Sequence, residues 1–157
     1  MKKLFLICAT AGLILFMHFD VQAQSYENGI GIRLGAYNGL NYKTFLKSNN
    51  ALDLTLSFRN NNDLKRFMFT GLYEVHNPIQ DAPGLQWYYG AGGSIGSYKR
   101  SNFDGDLFLS ADGVIGLDYK IQGAPLNLAI DWRPRIELTP NTNLRTGDVG
   151  LALRFTF

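Results

Sequence analysis

The sequence has almost no cysteine. Cys8 is the single one, and it lies in the middle of an N-terminal apolar stretch. Beyond that stretch there is no thiol for catalysis, disulfide formation or metal binding. Charge is scarce too: 18% of the 157 residues are Asp, Glu, Lys or Arg, against about 25% in an ordinary soluble domain. The formal net charge is +2, which speaks against a nucleic-acid surface or an acidic tail. Past the N-terminal stretch, no window keeps a helical period. What is abundant is apolar, aromatic and small. Hydrophobic residues make up 46%, aromatics 13%, and there are 17 glycines. That composition excludes disorder and points to β-structure.

The N-terminus reads as an export signal. Lys2 and Lys3 form a positive region, and residues 4–19 are apolar apart from Thr10 and His18. Val21-Gln22-Ala23 then presents small residues at the two positions a signal peptidase reads. The apolar run is shorter than the ~20 residues a spanning helix needs. Cys8 is not placed at its end after small residues, which argues against a lipoprotein. The expected division is a removable signal at 1–23 and one domain at 24–157. An exported chain without disulfides must be held together by something else.

Period two runs through the rest of the chain. It predicts strands at about 29–37, 40–47, 51–59, 66–76, 85–98, 107–121, 126–138 and 148–157. Segment 51–59 shows the pattern most cleanly: Leu52, Leu54, Leu56 and Phe58 alternate with Asp53, Thr55, Ser57 and Arg59. Short connections rich in Asn, Gly, Asp and Pro separate the strands, so neighbours pair as antiparallel hairpins.

A strand with one apolar and one polar face fits two closed solutions. A soluble barrel turns the apolar faces inward, and a membrane barrel turns them outward to lipid. Three features favour the membrane barrel. The polar face carries many glycines and few lysines, and its charges balance: Arg33, Lys43, Arg133, Arg135 and Arg154 against Asp53, Glu74, Asp112, Asp118 and Asp131. Charges inside a lumen must be paired, and this set forms the predicted lumen network: pairs are expected across adjacent strands, with Asp112 opposite Arg135 or Arg133, Lys43 beside Asp53 or one step away, and Asp131 near Arg154. Apolar-face aromatics collect toward strand ends, with Phe58, Phe67, Phe69 and Trp132 at one rim and Trp87, Tyr89, Tyr119, Phe155 and Phe157 at the other. These are the expected interfacial girdles. The strands are also long enough for the ~9–11 residues of a tilted spanning strand. The predicted fold is all-β, an eight-stranded antiparallel up-and-down transmembrane β-barrel.

Two segments carry a resemblance to known proteins: Gly84-Leu85-Gln86-Trp87-Tyr88-Tyr89-Gly90 and Asp131-Trp132-Arg133-Pro134. With the alternating pattern, they make 24–157 similar to the small eight-stranded outer-membrane barrels of Gram-negative bacteria, the OmpX/OmpA-like barrel superfamily. The ending Leu153-Arg154-Phe155-Thr156-Phe157 resembles the C-terminal assembly signal of such barrels, resting on Phe155 and Phe157. The resemblance implies residence in the bacterial outer membrane among its lipid and lipopolysaccharide. It also implies biogenesis through periplasmic chaperones and the barrel-assembly machinery. The expected protein is a monomer.

The search for chemistry is brief. His76 is the one histidine after the signal, and it precedes Asn77-Pro78 with no serine partner in the segment. It is expected near the periplasmic end in a structural or turn-capping role. Asp112, Asp118 and Asp131 read as members of an ion-paired lumen. Asp104-Gly105-Asp106 and the polar stretch Asn60 to Asp63 read as outer loops, where a weak calcium site is conceivable. Gly90 to Gly96 lies within a strand, so it lacks the strand-then-helix context of a phosphate loop. No catalytic residue, metal ligand or cofactor is assigned, and no nucleic acid is expected. The leading function is a structural or surface-interaction role with a lumen plugged by side chains, not a general porin. The alternatives are an outer-membrane enzyme acting on lipid, or a soluble exported barrel holding an apolar ligand.

Overall fold

The computed structural model describes residues 26–61, 64–100, 103–139 and 141–157. The expected signal at 1–23 lies outside the described residues. Among the described residues ten strands form one sheet: β1 (Asn28–Gly35), β2 (Asn38–Phe45), β3 (Asn50–Asn61), β4 (Leu64–Pro78), β5 (Leu85–Arg100), β6 (Phe103–Lys120), β7 (Leu126–Trp132), β8 (Arg135–Thr139), β9 (Asn143–Arg145) and β10 (Val149–Thr156). They make eight staves of a closed antiparallel barrel. β7 and β8 share one stave, because both pair with β6. β10 pairs with β7, and β9 with β8. Closure comes from β1 against β10, in register from Gly29↔Thr156 to Gly35↔Gly150. No sheet edge is left along that seam, as a lipid environment requires.

The predicted strand at 126–138 is thus interrupted. Pro134 has no N–H to give the ladder, so regular pairing stops at Trp132 and resumes at Arg135. Two backbone bonds bridge the gap: Gly113 N–H donates to the Pro134 carbonyl at 2.8 Å, and Arg133 N–H to that of Asp148 at 2.8 Å. The expected loop at 139–147 contains a further short strand, β9, folded back on β8. The stretch around Asp104 and Asp106 belongs to β6 and is not a loop. β5–β6 pairing continues up to Arg100↔Phe103, with an irregularity between Tyr98 and Arg100.

Faces follow the alternation. Burial alternates residue by residue along β7 and β10. Arg33, Lys43, Asp53, Glu74, Asp118, Asp131 and Arg154 are buried, whereas Ile30, Ile32, Leu128, Ile130, Leu151 and Leu153 are exposed. A soluble barrel with an apolar interior would show the reverse. Buried apolar side chains are few and fill gaps: Leu72, Tyr88 and Val114 form one small cluster, with Met68 and Phe108 elsewhere.

Inward glycines let the wall curve. A Cβ at Gly92 would fall 1.9 Å from the Gly71 carbonyl oxygen, so no side chain fits that bend. Lys43 and Asp53 meet directly across β2–β3, and Asp112 and Arg135 across β6–β8.

Candidate functional site

The polar faces converge on one continuous network inside the barrel. At its centre Asp53, projecting from β3, receives two guanidinium groups. Arg133 Nη2 lies 3.3 Å from Asp53 Oδ1, and Arg154 Nη2 lies 3.1 Å from Oδ2. Arg133 also reaches Asp131 at 2.9 Å, and donates to the Thr55 hydroxyl at 3.2 Å. Arg33 contacts the same Asp131 at 2.5 Å and continues to Asp148 at 3.2 Å. Arg135 meets Asp148 at 3.0 Å but lies 3.8 Å from Asp112, its register partner. Asp112 is satisfied instead by the hydroxyls of Ser110, at 2.9 Å, and Ser94.

Toward the end that carries the chain termini, Lys43 Nζ sits 2.7 Å from Glu74, 3.4 Å from Asp118 and 3.9 Å from Asp53. It also lies 4.3 Å from the centre of the Tyr88 ring. Tyr88 donates its hydroxyl to Asp131 at 3.2 Å, so one aromatic side chain ties the two halves of the network together. His76 is stacked on Tyr88 with ring centres 4.8 Å apart. Its two nitrogens lie 3.1 Å from Glu74 Oε2 and 3.1 Å from Gln86 Oε1. His76 is therefore buried within the network and caps no turn.

The opposite mouth holds a third group. Arg66 donates to the Tyr37 hydroxyl at 2.9 Å and to Glu137 at 3.1 Å, and its guanidinium lies 3.7 Å over the Phe108 ring. Arg145 adds a 3.5 Å contact to Glu137.

All ten predicted lumen charges point inward and join this network. Two expected details differ. Pairing runs across the lumen as well as between adjacent staves, since Arg33 on β1 reaches past β10 to Asp131 on β7. Asp131 also does not meet Arg154. The register sets Arg154 opposite Asn127 and Gly150 opposite Asp131. Arg154 consequently turns to Asp53, Asp118 at 3.5 Å, Asn127 at 2.9 Å and Asn41. The position it leaves at Asp131 is filled by Arg33, which lies over Gly150.

The predicted network omitted Asp148, Glu137, Arg66, Tyr88 and His76. Alternation along their strands puts Asp148, Glu137, Tyr88 and His76 on the polar face. Their membership depends on which staves face each other across the lumen, and spacing along one strand does not report that. Among the described residues no three His, Cys, Asp or Glu side chains gather as a metal site. The side chains of Asp104, Asp106 and residues 60–63, where the calcium site was considered, lie outside the described residues.

On the outside, Phe58 and Phe67 pair at 5.3 Å near the mouth opposite the termini, and Trp87 and Tyr89 stack at 5.5 Å toward the other end. Phe69, Tyr119, Trp132, Phe155 and Phe157 are exposed.

No protein-family model matches the chain. No curated protein matches its sequence. Solved structures do match. The N-terminal β-barrel domain of Pseudomonas aeruginosa OprF aligns with a TM-score of 0.68 at 18% identity, over 83% of this chain and 96% of that one. Neisserial surface protein A aligns with a TM-score of 0.61 at 10% identity, over 83% of this chain and 93% of that one. Identities this low speak for the architecture alone. An outward apolar wall, a charged interior, eight closed staves and these likenesses agree: the chain has the fold of the small eight-stranded outer-membrane barrels.

Proposed function

We propose that this chain is an integral outer-membrane barrel whose lumen is closed by its own side chains, with a structural or surface-interaction role. The observation that carries this reading is the unbroken relay from Asp148 through Arg33, Asp131, Arg133, Asp53, Arg154, Asp118 and Lys43 to Glu74 and His76. Eight staves leave an interior just wide enough for side chains to fill. A water-filled path would have to part several buried ion pairs, and each separation strands a charge away from water. Conduction is therefore not its task. The inward groups are also engaged with one another. His76 is held between Glu74 and Gln86, with no serine hydroxyl among its hydrogen-bond partners, which favours a non-catalytic role.

On this reading residues 1–23 direct export. Phe155 and Phe157 close the final strand as the assembly signal, and the monomer sits among outer-membrane lipid and lipopolysaccharide. Phe58, Phe67, Phe69 and Trp132 form one interfacial girdle; Trp87, Tyr89, Tyr119 and Phe155 form the other.

Two measurements test the reading. The protein should fractionate with the detergent-extracted outer membrane, and the purified barrel should be electrically silent in a planar bilayer. A steady ohmic conductance would replace the plugged barrel with a narrow channel. A detergent-free soluble protein would remove the membrane assignment altogether.

A further inference from the structure

The outer wall is not uniform. On the staves of β1, β10, β7 and β6, two successive outward rungs carry large apolar side chains. One runs in register from Ile32 through Leu153 and Leu128 to Tyr119, and the next from Leu34 to Leu117. Between these ridges stand Ala129 and Ala152, cross-strand partners whose buried side chains face the lumen. Their main chain is the floor of a groove of about 550 Å³ whose walls are almost wholly apolar. Elsewhere on the wall the rung Gly71–Gly93–Ala111 raises no ridge.

The stagger of the staves slants the groove. Ile32 lies in the middle of β1 and Leu128 near the start of β7. Tyr119 is next to the end of β6, and Leu85, opposite it, opens β5. The groove therefore starts at the rim that carries the termini and climbs toward mid-wall.

At that rim a cation stands beside the opening. Lys120 follows Tyr119, roughly 3.3 Å further along the strand. Its ammonium is drawn over the β6–β7 turn and donates to the carbonyls of Ile121 at 3.1 Å and Ala124 at 2.5 Å. Both acceptors are neutral, so they leave the charge in place and the third N–H for another partner. Interfacial tyrosines sit at headgroup level, which sets Lys120 among lipid phosphates.

We propose that the groove holds one acyl chain of an anionic phospholipid of the periplasmic leaflet, with its phosphate against Lys120. Acyl chains are as apolar as leucine, so burial alone gives no preference in lipid. An unfilled groove nevertheless forfeits dispersion contacts along its floor, and a chain laid in it regains them from both ridges. The convex wall of a second barrel would rest on the ridges and leave the floor empty. The groove thus positions a chain, and Lys120 selects the headgroup. This site rests on the reading of the chain as an outer-membrane barrel with the termini end in the periplasm.

The test uses the whole barrel purified in detergent and native mass spectrometry with two probes of identical chains, phosphatidylglycerol and phosphatidylcholine. The first bound lipid should favour phosphatidylglycerol about fivefold, as one lysine beside an anionic headgroup gives. Lys120→Gln should abolish that preference. Lys120→Arg should keep it, as should Lys47→Gln in the β2–β3 turn. Leu128→Ala with Leu153→Ala, which breaks one ridge, should weaken both lipids about threefold or more. Ile136→Ala with Leu138→Ala, on another part of the wall, should leave both unchanged. Heat-dependent electrophoretic mobility reports folding of each variant. Equal binding of the two lipids by the unsubstituted barrel overturns the site, and so does a preference that survives in folded Lys120→Gln. Lipid binding indifferent to the broken ridge overturns the groove as its seat. A dimer that neither lipid dissociates puts a second copy there instead. Fractionation as a soluble protein would defeat the underlying membrane reading, which binding in detergent does not probe.

Discussion

Arg33 reaches Asp131 across the closing seam by lying over a residue with no side chain. A Cβ added at Gly150 would sit 2.4 Å from the Arg33 guanidinium carbon, while Arg33 Nη2 holds Asp131 Oδ1 at 2.5 Å. The seam between the first and last staves is thus fastened through the lumen as well as by backbone pairing.

Gly150→Ala should displace that guanidinium. The expected cost is a share of the ~3–5 kcal/mol lost when one partner of a buried pair is removed. In an Arg33→Gln background the same change should cost much less, because nothing is left to displace. Unfolding of the four variants in urea and lipid vesicles measures this. Equal costs in both backgrounds would show that Gly150 serves the backbone alone.

Arg135 distinguishes two acids. Its 3.0 Å contact with Asp148 and 3.8 Å separation from Asp112 predict unequal coupling. A double-mutant cycle of Asp148→Asn with Arg135→Gln should give an interaction energy of about 1–3 kcal/mol. The cycle of Asp112→Asn with Arg135→Gln should stay within ~0.5 kcal/mol. Additivity in both cycles would point to a lumen wet enough to screen its charges.

Leu128 and Leu151 are exposed on the outer wall. Arginine at either should cost about 2–4 kcal/mol if the site lies near the midplane, since lipid offers no water to solvate it. Reversible unfolding in vesicles gives the number, and tolerance of both changes would contradict an outward lipid-facing wall.

Both termini of the barrel lie at one end: Asn28 N–H donates to the Phe157 carbonyl at 3.0 Å. With that end in the periplasm, Asn62→Cys should label on intact cells and Asp81→Cys should not. Asp81 occupies a tight turn at the termini end, with φ of 62°. The natural sequence has no cysteine beyond Cys8 to confuse the result. The opposite labelling would invert the topology.

The sequence by itself determined the class and the faces of this protein. Side-chain direction along a strand has period two, so alternation is a local property that needs no knowledge of the partner strand. Asp53, Glu74 and Arg154 were legible as inward for that reason, as were Leu128 and Leu151 as outward. Only the tertiary structure decided which charges meet. Stagger and closure set who faces whom across the lumen. They sent Arg154 to Asp53 and Asp118, gave Asp131 to Arg33 over Gly150, and set Tyr88 and His76 beside Lys43 and Glu74. The break at Pro134 and the fold-back of β9 were likewise settled outside the alternating pattern. A missing N–H interrupts a ladder without changing which side of the sheet its neighbours occupy.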